Sequence, residues 1–183
     1  MKKYRPIKQS FVSQVFGVNN FPIFYKERGL LGHTGIDIPC PMGTEIRFEI
    51  TDCKGKVYKK ELDKAGGLGL DIITDDKDGI MKHRYWHLKD YAVEVGQIVE
   101  SGDLIGHADN TGISSGSHLH WSLKPQIKDA NGNYRNEFPN NGYAGAVDFK
   151  YTDIYILDYL DNLLGQISIL KKIIEIIRQF FKN

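Results

Sequence analysis

Cysteine is scarce: the 183-residue chain has two, Cys40 and Cys53. Two thiols without Cys-x-x-Cys spacing are too few for a disulfide scaffold and leave little case for an iron–sulfur cluster. They bridge only if neighbouring strands bring them together, and the expectation is two reduced thiols. A charge excess is also missing. The formal net charge is +1 with no basic block, which argues against a general nucleic-acid binder. No stretch reaches the ~20 uninterrupted apolar residues of a membrane span. The basic start Met1–Ser10 has no apolar run behind it, so no secretory signal is expected. What is present, 41% hydrophobic residues, suits one globular domain with a proper core and an appendage, and the length excludes two large domains.

Strand signals are short and frequent from His33 to about Leu123. Ile46–Ile50, Lys56–Lys60, Leu70–Thr74, Arg84–Leu88 and Gln97–Glu100 all read as strands, separated by turn clusters such as Asp75-Asp76-Lys77-Asp78-Gly79. With no helical pattern between them, they predict a mainly β fold, an antiparallel β-sheet or sandwich. Before them, Met1 to Leu31 is aromatic and irregular and reads as loop with one or two short strands. After them, Pro125 to Phe149 is Asn- and Gly-rich and reads as a long surface loop. Composition changes near Tyr151. Leu157, Leu160, Leu164, Ile167, Leu170, Ile174, Ile177 and Phe181 then recur at helical spacing. A second row, Ile169, Ile173, Ile176 and Phe180, widens the apolar face. Gly165 offers a point at which the helix divides into a hairpin. Residues 1–150 are therefore expected to form the folded domain and 151–183 an amphipathic helical tail.

Chemistry concentrates in the histidines. In Ser117–Leu123, a period of two puts His118, His120 and Ser122 on one face of a strand and Leu119, Trp121 and Leu123 on the other. The two imidazoles point the same way, about 6.7 Å apart. An isolated His-x-His also describes two surface histidines. In His33-Thr34-Gly35-Ile36-Asp37-Ile38-Pro39, a straight strand would hold residues 33 and 37 about 13 Å apart, too far to share one ion. If both bind it, the chain bends at Thr34-Gly35, which glycine permits. Two imidazoles and a carboxylate, with a fourth position for water, make a catalytic zinc site rather than a closed structural one. His-Glu-x-x-His, the helical zinc-peptidase arrangement, is absent.

These residues carry a resemblance. His33-Thr34-Gly35-Ile36-Asp37 with His118-Leu119-His120-Trp121 resembles the paired signatures of the M23 family, the lysostaphin/LytM-type zinc endopeptidases of bacterial cell walls. Arg84-Tyr85-Trp86-His87-Leu88 is similar to the family's Tyr-x-His-Leu segment. Val95–Val99, Gly102–Gly106 and Asn110-Thr111-Gly112 match its turns in the same order. The likeness runs from about Leu31 to Leu123. It implies one zinc ion per chain on His33, Asp37 and His120, with His87 and His118 handling protons and steadying the developing oxyanion. It also implies hydrolysis of peptide bonds in peptidoglycan stems or cross-bridges. The family uses a tyrosine upstream of its first histidine, for which Tyr25 is a candidate at a loose spacing. His83 and His107 have no place in the pattern and are expected to be solvated or structural. Trp86 and Trp121 are candidates to line a substrate groove, but by strand parity each faces away from its neighbouring histidines, which favours the core.

No leader, inhibitory pro-segment or SH3-like wall-binding domain is expected. That suggests a phage or prophage lysis or tail apparatus, or an exported complex, with the helix over residues 154–181 fastening the protein there. A second copy of the chain or a helical neighbour is the expected partner, and a membrane surface the alternative. The rival functions are a catalytically silent wall-binding or amidase-activating relative, a structural virion component, and a zinc hydrolase of another substrate class.

Overall fold

Runs of Val, Ile, Leu and Tyr that alternate with charged residues form strands here because each strand buries one face and leaves the other to water. The computed structural model describes residues 2–8 and 11–180, apart from the side chains of residues 176 and 178–180. In chain order the elements are α1 (Pro22–Glu27), β1 (Ile36–Pro39), β2 (Glu45–Arg47), β3 (Gly55–Asp63), β4 (Gly67–Asp76), β5 (Gly79–Tyr91), β6 (Ile98–Val99), β7 (Leu104–Ala108), β8 (His118–Lys128), β9 (Tyr134–Asn136) and α2 (Ile156–Phe180). The fold is the expected antiparallel β core. Its main path is β1-β8-β5-β4-β3-β6, with β7 branching from β5 to β2 and β9 flanking β8.

One face of this sheet carries the core: Ile36, Ile38, Leu70, Ile72, Tyr85, Leu119 and Trp121 pack with Ile46, Phe48 and Ile105. The other face carries the polar partners of that alternation. Along β8, Leu119, Trp121 and Leu123 are fully buried on the core side, as the period of two predicts for this strand. Cys40 is buried, Cys53 is half-buried, and both are free thiols.

Four expectations are corrected. The stretch from Pro125 to Phe149 is not all loop: β8 runs on to Lys128 and pairs with β9, so polar composition concealed a hairpin. The N-terminal region makes isolated bridges, Lys3 to Ile50 and Gln14 to Asp37, and the helix α1. Pro22 starts that helix at a position where its missing N–H costs nothing. Gly165 does not split the tail. It sits inside one continuous α2, because a single helical glycine costs only about 1 kcal/mol. Finally, the strand expected over Ile46–Ile50 ends at Arg47.

The start of α2 is anchored. Arg5 N donates to Ile154 O and Ile156 N to Arg5 O, at 2.9 and 3.1 Å. Tyr4 stacks on Tyr159 with ring centroids 4.2 Å apart, beside Tyr155, Ile156, Leu157 and Leu160. From Asp161 to Glu175 every side chain is exposed. The expected stripe therefore faces solvent at Leu164, Ile167, Leu170, Ile174 and Ile177. Phe181, and the side chains of Ile176 and Phe180, lie outside the described residues. Among the described residues no helix is long and apolar enough to cross a membrane.

Candidate active site

Asp37 on β1 and His120 on β8 are direct partners across the antiparallel ladder, which puts both side chains on the same face. His33 reaches them from outside β1. The chain bends at Thr34 and Gly35, and the bend lies hard against β8. A Cβ on Gly35 would run into Trp121 O and stand 2.8 Å from Ser122 Cβ. Glycine is needed here for close approach.

The bend brings three donor atoms together. Asp37 Oδ1 lies 3.0 Å from His33 Nε2 and 2.9 Å from His120 Nδ1, and the two nitrogens are 2.9 Å apart. A tetrahedral zinc with ligand bonds of ~2.0–2.2 Å holds its ligand atoms roughly 3.3–3.6 Å apart. The triangle is thus within about half an ångström of what such an ion needs. Among the described residues this is the one set of three His, Cys, Asp or Glu side chains that converges in this way. His33 Nδ1 donates to Val15 O at 3.2 Å, which fixes the tautomer that leaves Nε2 free to ligate. Burial pushes the Asp37 pKa up, but the imidazoles of His120 and His33 against it outweigh this and hold the carboxyl well below the usual carboxylate range. Burial lowers the His120 pKa against the opposing pull of Asp37. Two imidazoles and a carboxylate are a donor set that zinc accepts.

His87 and His118 stand beside this triangle, their rings 4.4 Å apart. His118 shares a face of β8 with His120, and its Nε2 lies 3.6 Å from Asp37 Oδ1. His87 arrives differently. Its φ is +61°, a left-handed conformation in which histidine is among the more tolerated residues. Around it, Leu68 pairs with Leu88 but Leu70 pairs with Tyr85, so β5 carries a bulge. The bulge turns His87 and its neighbour Trp86 toward the same side. Parity along β5 therefore fails here, and Trp86 lines the groove instead of the core. Its ring lies on Gly66 and Gly69, where any Cβ would clash with it. Trp121, which has no bulge, is fully buried.

Both histidines present the same atom. His87 Nδ1 donates to Thr111 O at 2.7 Å and His118 Nδ1 to Gly116 O at 2.8 Å. Each therefore leaves Nε2 as a bare acceptor. Burial is the main cause that takes the His87 pKa down to about 4, so at neutral pH it is uncharged.

These residues line a groove of about 520 Å³, walled by Phe24 and Tyr25 of α1, Trp86 and Ile113. Tyr25 Oη accepts from Gln14 Nε2 at 2.7 Å. Arg84, Ser122 and Lys124 form its floor. Ser122 was expected on this face, whereas Arg84 and Lys124 were not, although the alternation that aligns His118, His120 and Ser122 extends to Lys124. The two remaining histidines are elsewhere. His83 is buried beneath the sheet against Glu49 at 2.7 Å, and His107 pairs with Asp90 at the surface.

The profile of Peptidase family M23 matches residues 31–136, more than half of the chain. The chain belongs to peptidase family M23. Its similarity to individual members is moderate. This M23 chain is 36% identical over 89 residues to the glycyl-glycine endopeptidase ALE-1 of Staphylococcus capitis, covering 49% of itself and 24% of that relative. It is 31% identical over 119 residues to the DD-carboxypeptidase/endopeptidase Mpg of Neisseria meningitidis serogroup B, covering 65% of itself and 25% of Mpg. The chain thus spans about a quarter of the length of these relatives. The solved structure of LytU superposes with a TM-score of 0.55 at 32% identity, over 75% of this chain and 79% of that one. All three likenesses agree with the lysostaphin-type β core.

Proposed function

We propose that this protein is a zinc-dependent endopeptidase that hydrolyses peptide bonds of bacterial peptidoglycan. The observation that carries the reading is the convergence of His33 Nε2, Asp37 Oδ1 and His120 Nδ1 within about 3 Å of one another. The names of ALE-1 and Mpg supply the substrate class.

When bound at that triangle, zinc supplies Lewis acidity, lowering the pKa of water toward ~7 and polarising a peptide carbonyl. The chain's own residues do the rest. His87 and His118 each offer Nε2 to the proton of the attacking water, while Nδ1 of each stays on a backbone carbonyl. Once protonated, the same Nε2 becomes a donor. It can then stabilise the negative oxygen that develops on the carbonyl and deliver a proton to the leaving amine. Thr111 O and Gly116 O hold the two rings in place through this exchange. Trp86 and Ile113 give the groove an apolar wall. Since both histidines and all three ligands are present, a catalytically silent wall-binding role is the weaker reading.

The exposed apolar side of α2 favours one addition. Residues 151–183 serve as an attachment segment, to a second copy or to a larger assembly, for which a phage lysis or tail apparatus is one setting.

Zinc content and release of peptide ends from purified cell walls test the reading in three proteins. The native chain is expected to hold one zinc and to be active. His120→Ala is expected to lose both metal and activity. His118→Ala is expected to keep the metal and lose about 10²- to 10⁴-fold in rate. A native chain that holds zinc but cuts no wall type would favour the binding reading, and one purified without chelator that holds no metal would end the proposal.

A further inference from the structure

Beyond the three donor atoms the groove continues along β8, and its far end has an electrostatic character of its own. Lys124 is on the same face of β8 as His120 and Ser122, four residues and ~13 Å from His120. It lines the same cavity yet is only 6% exposed. Its Nζ donates to Ala144 O at 2.8 Å, which uses one of three ammonium protons.

The neighbouring charges do not balance it. Arg84 is committed to Asp71, with Nε to Oδ1 at 2.7 Å and Nη2 to Oδ2 at 2.6 Å, and its Nη2 also reaches Glu61 at 3.0 Å. Lys82 Nζ lies 3.9 Å from the same Asp71. Lys82 and Lys124 are direct partners across the β5–β8 ladder, a pairing that like charges make unfavourable. Arg84 and Lys82 thus share Asp71, Arg84 and Lys59 share Glu61, and Lys124 has no carboxylate partner among the described residues. Burial, reinforced by Arg84 and Lys82, pulls its pKa down to about 7. A buried cation without a counter-ion is costly to the fold. An arriving anion would remove that cost, so the site favours negative charge.

We propose that Lys124 is a specificity-determining residue that binds a carboxylate of the substrate peptide. Resting on the peptidase reading, this names what the groove selects: a chain that is acidic at one position. An extended peptide advances ~3.3–3.6 Å per residue, so the carboxylate lies three to four residues from the scissile bond. The charged group is either an acidic side chain or the C-terminal carboxylate of a short stem peptide, both with the same chemistry.

Two series of synthetic peptides, built on pentaglycine and on D-alanyl-linked stem sequences, distinguish these sources. One series carries a single Glu or its Gln counterpart at each position from two to five residues on either side of the cleaved bond, with amidated ends. The other ends in an acid or an amide at the same distances. Zinc-loaded native protein is expected to show a kcat/KM about 10- to 100-fold higher for the acid at one position in the three-to-four window. In Lys124→Met that ratio is expected to fall below about twofold, with a circular-dichroism melt verifying the fold. Equal rates for acid and amide at every position in the native protein would overturn the inference without any variant. So would a preference that survives Lys124→Met, since another residue would then be selecting. If the native protein cleaves no peptide of either series, the peptidase reading falls and this inference with it.

Discussion

His87 and Ala144, with φ of +61° and +52°, are the non-glycine residues with left-handed backbone among those described, and both border the groove. Such a conformation costs of order 1–3 kcal/mol. At His87 the return is a side chain aimed where regular β5 geometry would not send it. At Ala144 it is a carbonyl turned onto Lys124. Strand parity, which works along β8, could not foresee the bulge on β5, because one residue in the left-handed region reverses the side on which its neighbours appear. Lys124 allows a prediction with a definite sign. Its pKa is about 7 in the folded chain against 10.5 in the unfolded one. The folded chain therefore binds fewer protons between those values, and stability rises with pH across that window. Below pH 7 the full penalty applies. Lys124→Met should then stabilise the protein at pH 6 by ~2 kcal/mol, net of the lost hydrogen bond to Ala144. The gain should vanish or reverse by pH 10. Urea unfolding at the two values measures it, and an equal gain at both would contradict this account.

At the scale of elements, β5 serves two environments at once. Arg84 and Trp86 face the groove, while His83 and Tyr85 project into the interior and meet Glu49. His83 Nδ1 lies 2.7 Å from Glu49 Oε1, Tyr85 Oη donates to Oε2, and His83 Nε2 is 3.0 Å from Thr74 Oγ1. All four residues of this cluster are fully buried. Removing Glu49 takes the acceptor from both His83 Nδ1 and Tyr85 Oη in an apolar surrounding. Glu49→Ala should therefore cost about 3–5 kcal/mol in urea unfolding. Glu49→Gln, which keeps an acceptor, should cost less than half of that. Equal losses would mean that packing and not hydrogen bonding is what Glu49 provides. The expectation for His83 left solvation and structure both open, because its partner is 34 residues away in sequence. The three converging donors were legible for the opposite reason. They come from two short motifs, each readable from local spacing, and one bend at Gly35 unites them. The α1 helix and the β8–β9 hairpin were not legible. Pro22 reads as a breaker but serves as a helix start, and Asn and Gly residues hide strand pairing.

In the whole molecule, the β core and α2 meet over a small area. Tyr4, Tyr155, Ile156, Leu157, Tyr159 and Leu160 form that contact, and the described side chains beyond them are exposed as far as Glu175. Deleting residues 161–183 should leave zinc content unchanged and the unfolding midpoint of the β core within about 2 °C. It should also abolish any self-association of the full chain in light scattering. A full chain that is monomeric, together with a truncated one that melts much lower, would put the apolar side of α2 on its own core. Because α2 has 25 residues, it forms a rod of ~37 Å fixed to the β core at one end. Peptidoglycan is a cross-linked mesh that a protein cannot traverse freely. A blade on a boom of set length works only within the circle that the boom's far end allows. Under the proposed function, a partner holding that end would set how wide a hole the protein opens.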